Sequence, residues 1–247
     1  VGADVSSLGP DIQTVNFVVL ANSVKHHPNR CIAGRVVTQK QGRSMLGPWI
    51  RPVGDPPEAG LAPSASKYED GCQPGILDVV EMRCRPCGNN HCQPENHSLE
   101  PGSAWKKIGT FPAERLGELE EHPDGLWRGT AAYNDSASHA KLLQMPNCHS
   151  LYLIRPEQLR FQISATSQPA GAPKVRRRAL FRYRGVDYDL ALTDSAVDDR
   201  YLNIAIKVND PPVEVAISHP NRCLMVVSLG GEFNGYHYKL AASVIEY

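Results

Sequence analysis

The apolar positions of this chain come in short runs bounded by turn-forming residues. Thr14-Val15-Asn16-Phe17-Val18-Val19-Leu20 is β-branched and apolar, and predicts a buried strand. Cys31–Thr38, Trp49–Val53 and Ile76–Met82 predict further strands, separated by a Pro-, Gly-, Ser- and Ala-rich loop over residues 54–75. Pro112–Glu121 opens on proline and spaces Leu116 and Leu119 three apart, the pattern of a short helix. Leu151–Ile154 is strand-like, and Pro156–Leu159 is long enough for one helical turn.

From Arg160 the chain alternates with period two through Ser164. Residues 179–183 and 186–190 flank Arg184-Gly185, which predicts a hairpin. Asp194–Asn203 reads as a short helix capped by Thr193 or Asp194, and Cys223–Ser228 and Tyr238–Ile245 as closing strands. Many short strands with few helices predict an all-β protein of two small five-stranded barrels in tandem. The expected division is a loose tail over 1–13, a first domain with long loops over 14–155 and a second over 156–247. His27-Pro28-Asn29-Arg30-Cys31 recurs as His219-Pro220-Asn221-Arg222-Cys223, early in one half and late in the other, so shared turn chemistry explains it without homologous sites.

Composition adds limits. The 247 residues carry 26 Lys+Arg and 26 Asp+Glu, which excludes a generally polycationic surface. No window is apolar enough for a membrane-spanning helix, and the first residues lack the basic and apolar regions of a signal peptide. The expectation is a cytoplasmic protein whose seven cysteines are thiols or metal ligands.

The charge is segregated along the chain. Between Asp11 and Asp55 there is no acid, but Lys25, Arg30, Arg35, Lys40, Arg43 and Arg51 are present. Between Glu157 and Asp187 there is again none, while Arg160, Lys174, Arg176, Arg177, Arg178, Arg182 and Arg184 are. Each expected barrel therefore opens on basic strands, which points to an anionic ligand such as a nucleic-acid backbone.

Cys84-x2-Cys87, with His91 and Cys92 close behind, has the spacing of half a zinc site. Cys72 or His97 would complete a tetrahedron, and zinc would be the cofactor; the competing reading is a loop of free thiols. The chain has no P-loop, no dinucleotide-binding glycine motif, no G-x-S-x-G elbow and no H-E-x-x-H pair.

Leu20-Ala21-Asn22-Ser23-Val24-Lys25 with Asn29–Gly34, Trp49–Val53, Leu77–Glu81, Gln93–His97, Trp105 and Leu126-Trp127 resemble motifs of the bacterial dual OB domain family. So do Ser228-Leu229-Gly230 and Tyr238–Ala242 near the end. The resemblance implies two OB folds, and through the fold nucleic-acid binding.

Asn22, Ser23, Lys25, Arg30, Arg51, Gln93, Glu95 and Asn96 form a set of hydrogen-bonding side chains that a barrel core does not require. In one reading they build a pocket, with Lys25, Arg30 and Arg51 meeting phosphate and Gln93, Glu95 and Asn96 reading a base. In the other, Asn22, Gln93 and Asn96 cap turns and Arg51 pairs with Glu95. The expected function is a non-enzymatic binder of single-stranded or structured RNA or DNA. The alternatives are a nucleotide or modified-base sensor or enzyme, and a scaffold for a protein partner.

Overall fold

β1 (Gln13–Val24) is buried on both of its faces. Phe17 and Val19 point into one barrel, where they meet Ile32, Ile50, Val80, Met82 and Trp105. Val18 and Leu20 point the other way, into a second apolar cluster with Leu116, Leu119, Leu153, Leu224 and Val226. That double burial explains why the run is continuously apolar instead of alternating. The computed structural model describes all residues except 1–10, 25–26, 41–42, 55–59, 89–90, 134 and 170–171. Residues 1–10 of the tail expected over 1–13, and Lys25, thus lie outside the described residues.

β1 continues into β2 (Arg30–Lys40), β3 (Arg43–Val53), β4 (Asp78–Pro86), β5 (Asn96–Leu99) and β6 (Lys106–Thr110). Their order in the sheet is β1-β2-β3-β5-β4, and β1 pairs again with β4 to close a five-stranded barrel, with β6 added outside β4. All pairs are antiparallel except β3 with β5. This is the OB arrangement that the family resemblance implies. Gly34 permits it locally, because a Cβ there would lie inside the contact distance of the Val18 carbonyl oxygen.

The second sheet takes up β7 (Ala131–Tyr133), β8 (Ser136–Ser138), β9 (Leu151–Ile154), β10 (Glu157–Thr166), β11 (Lys174–Tyr183), β12 (Val186–Leu192), β13 (Val213–Ala216), β14 (Cys223–Phe233) and β15 (Tyr236–Glu246). Its central path β10-β11-β12-β15-β14 repeats the order of the first barrel, again with one parallel pair, β12 with β15. β13 lies on the free edge of β10 and β9 on that of β14. α1 (His139–Leu142) follows β8, and α2 (Ser195–Tyr201) connects β12 towards β13.

Several local expectations meet the structure differently. Pro112–Glu121 contains a 3-10 helix, Ala113–Leu119, that buries Leu116 and Leu119. Glu157–Leu159 belongs to a strand, not a helical turn, with Gln158 at a φ of 55°. β7, β8 and β9, from residue 131 onward, pair in the second sheet. The β11–β12 hairpin turns at Arg184-Gly185 with φ of 51° and 75°, as the dipeptide predicts. Asn234-Gly235, with φ of 50° and 81°, makes a second such turn and lengthens the closing strands to 223–233 and 236–246.

β14 repeats the behaviour of β1. Met225, Val227 and Leu229 fill the second barrel with Phe161, Leu190 and Trp127, while Leu224 and Val226 face the shared cluster. Each such aliphatic side chain withdrawn from water contributes about 1.5–3 kcal/mol. The two barrels are therefore joined by a core of their own. Polar links reinforce it: Val24 N donates to Thr193 O at 2.9 Å, and Trp49 Nε1 and Leu153 N both donate to Glu121 Oε2 at 2.9 Å.

Candidate functional site

A cleft of about 670 Å³ opens where the barrels meet. One wall comes from the first barrel: Ser23 and Val24 at the end of β1, Arg30 and Cys31 at the start of β2, Arg51–Val53 at the end of β3, and Cys92, Gln93 and Asn96 before and at the start of β5. The other wall is Thr193, the Ser228–Glu232 stretch of β14, His139, His237 and Leu240. The cleft thus joins the strand 1–2 and strand 4–5 connections of one barrel to the strand 4–5 hairpin of the other.

Of the polar set expected from sequence, Ser23, Arg30, Arg51, Gln93 and Asn96 reach the cleft. Arg51 is held from behind. Its Nη2 donates to Glu95 Oε1 and Ser150 Oγ, and its Nε to Asn96 Oδ1, each at 2.7 Å. Ser150 Oγ also bonds Glu95 Oε1, and Glu95 Oε2 is buried with no hydrogen-bond partner among the described residues. Arg51 therefore spends its fork on protein groups, as the structural reading of this set expects. Asn96 Nδ2 donates to Gln93 Oε1 at 3.2 Å, and Gln93 Nε2 to Leu229 O at 3.3 Å, which carries the network across to the second barrel. Asn22 is turned away, its Nδ2 on Pro74 O at 2.9 Å. Arg30 differs from Arg51. Its Nη1 donates to the Ser195 hydroxyl at 2.9 Å, and it has no carboxylate partner among the described residues.

The acid-free block of the second half is not free of acids in space. Arg178 Nε meets Asp189 at 2.6 Å, Arg182 Nε meets Asp187 at 2.8 Å, and Arg177 Nε meets Asp198 at 2.6 Å. Two of these acids sit on β12, hydrogen-bonded beside β11. Each Arg182–Asp187 partner shifts the other: the guanidinium is pushed up and the carboxyl down, first through their hydrogen bond. Arg184 lies over the Tyr183 ring at 5.9 Å, and Arg176 is exposed. Three arginines of β11 thus each face a carboxylate at contact range.

The expected zinc ligands separate. Cys84 is buried in the first barrel core, and that burial pushes its thiol up to about 11. Cys87 Sγ lies 3.0 Å from Ser98 Oγ, and His91 Nε2 3.0 Å from Met145 O. His97 Nδ1 is 2.9 Å from Glu95 O, and Cys72 is exposed. Cys92 alone joins another constellation. Among the described residues, Cys92, His139 and His237 form the set of three such side chains whose ligand atoms all lie within 4.8 Å of one another. His139 and His237 escape a reading by spacing because they lie 47 and 145 residues beyond Cys92. The one local signal is β15 itself, where His237 and Lys239 occupy inward positions of a strand.

Among curated proteins, none matches the sequence. The solved structure "Structure and Conformational Change of a Replication Protein A Heterotrimer Bound to ssDNA" is similar over 99% of this chain, with 8% identity and a TM-score of 0.31. The chain spans about half, 51%, of the chain it matches there. No helix among the described residues is long and apolar enough to cross a membrane. Residues 15–244, nearly the whole span of two OB sheets with the same strand order, match the dual OB-containing domain model, and the chain belongs to that family.

Proposed function

We propose that the protein binds nucleic acid by taking one nucleotide of a single strand into the cleft between its barrels. One observation carries this reading: the strand 1–2 and strand 4–5 connections of the first barrel, the ligand-binding loops of OB folds, converge on this cleft. Its volume of about 670 Å³ falls among small-ligand sites of about 300–1,000 Å³. Arg30 supplies a cation for phosphate, and Gln93, Asn96 and Ser23 supply hydrogen-bonding groups. A second reading, a free nucleotide as ligand, is favoured by the pairing of Arg177, Arg178 and Arg182 with acids, which leaves little cationic track for a long strand.

Fluorescence anisotropy with short single-stranded DNA and RNA, alongside calorimetry with mononucleotides, tests both. Arg30→Ala should weaken binding by about tenfold or more, the value of one charge-assisted contact of about 1.5–3 kcal/mol. Binding that ignores Arg30→Ala and disappears on charge reversal of Arg176 and Arg178 would place the interface on β11 instead. No binding of strands or nucleotides at low salt would overturn the reading entirely.

A further inference from the structure

We infer that Cys92, His139 and His237 form a binding site for a borderline-soft divalent metal of the zinc class, with a remaining coordination position open to the cleft. His139 Nδ1 lies 2.9 Å from His237 Nε2 and 3.9 Å from Cys92 Sγ. With Zn–N of about 2.0–2.1 Å and Zn–S of about 2.3 Å, a tetrahedral ion needs about 3.3 Å between nitrogens and about 3.6 Å from sulfur to nitrogen. The two observed separations differ from those by a few tenths of an ångström, within reach of side-chain rotation.

The surroundings are those of a ligand set. His237 Nδ1 lies 2.8 Å from Gly230 O, which fixes Nδ1 as the protonated nitrogen and leaves Nε2 to face the site. Cys92 and His237 are buried, at 2% and 3% exposure, so the ion would be shielded from bulk water on their side. All three residues line the cleft wall, so three protein ligands leave a position directed at whatever the cleft holds. Cys92 belongs to the strand 4–5 connection of the first barrel, His237 to β15 of the second sheet, and His139 to α1, which follows β8 of that sheet. A bound ion would therefore fasten the two barrels across the cleft. Binding would release the Cys92 thiol proton, and the thiolate would take one coordination position. The inference stands whether or not the cleft accepts a nucleotide.

The test uses the full chain, purified under a metal-free phosphine reductant. Cobalt(II) is titrated in while thiolate-to-cobalt charge-transfer and ligand-field absorption are followed, and bound zinc is counted by mass spectrometry. The expected result is one ion per chain, a charge-transfer band, and bands of a four- or five-coordinate site that shift when a coordinating anion is added. Cys92→Ser should remove the charge-transfer band, and His139→Gln and His237→Gln should end stoichiometric binding. Cys87→Ser should leave all of it intact. Absence of a stoichiometric ion and of the band in the wild-type chain would overturn the inference without recourse to any variant. So would a band that survives Cys92→Ser in a folded protein, or one lost in Cys87→Ser.

Discussion

Arg51 and Glu95 form a buried ion pair at 2.7 Å, with their side chains only 5% and 4% exposed. It sits directly behind the cleft, where β3 ends and β5 begins. Removing one partner from such a pair leaves a buried charge alone, at a cost of about 3–5 kcal/mol. Arg51→Met should therefore lower the urea midpoint sharply with an unchanged slope. Adding Glu95→Gln to it should restore part of the loss, since the stranded carboxylate is then gone. Equal effects of the single and double variants would show that the pair does not act as a unit.

Lys239 gives a pH dependence of defined sign. Its ammonium is enclosed in the second barrel, 5.5 Å from the centre of the Tyr188 ring, and burial pushes its pKa down to about 8, against partial compensation by Asp135. Below pH 8 folded and unfolded chains both carry the proton, and the folded state bears the full cost of the buried charge. Between about pH 8 and 10.5 the unfolded chain binds more protons, so this group adds stability as pH rises. Lys239→Met should stabilise the protein at pH 7 by about 2–3 kcal/mol, seen as a rise in Tm of several degrees. The advantage should shrink towards pH 10. A gain that is the same at both pH values would mean that Lys239 titrates normally.

Gly34 lets β2 cross β1 closely, and a methyl group there would collide with backbone at Val18. Backbone cannot swing aside as a side chain tip can. Gly34→Ala should cost about 1–3 kcal/mol, the usual range for overpacking. Gly109 is the matched control: a methyl group there would meet nothing within 4 Å, so alanine should be nearly neutral. Chemical denaturation of the two variants decides it.

The barrels are legible in the sequence because strand runs and turn dipeptides are local signals. Arg184-Gly185 announces its hairpin, and Asp194 accepts from Ala196 N at 2.9 Å as the expected helix cap. What the sequence conceals is which distant residues become neighbours in space. The basic run on β11 is unopposed along the chain, yet Asp187 and Asp189 lie on the very next strand, 5 and 11 residues from the arginines they meet. Leu151–Ile154 likewise finds its partner in β14, some 70 residues later. The cysteine spacing suggests a local zinc site, whereas Cys84 points into a barrel core and Cys92 towards His139 of α1 and His237 of β15. The pocket set is half legible: Ser23, Arg30, Arg51, Gln93 and Asn96 gather at the cleft, but Arg51 is bonded to Glu95 and Asn96, and Asn22 turns away.

The same pairing predicts how binding responds to salt. A protein that neutralises Z phosphates of a single strand loses affinity with a log–log slope of about −0.7Z. Two acid-free basic strand faces would engage many phosphates and give a steep slope. With Arg177, Arg178 and Arg182 held by Asp198, Asp189 and Asp187, and Arg30 without a carboxylate partner among the described residues, Z should be one or two. The expected slope is then about −0.7 to −1.4. It should flatten further in Arg30→Ala, and hardly change when Arg178 is reversed. A slope several times steeper would mean that the arginines of β11 release their acids to bind phosphate, and the cleft would then be one part of a longer track.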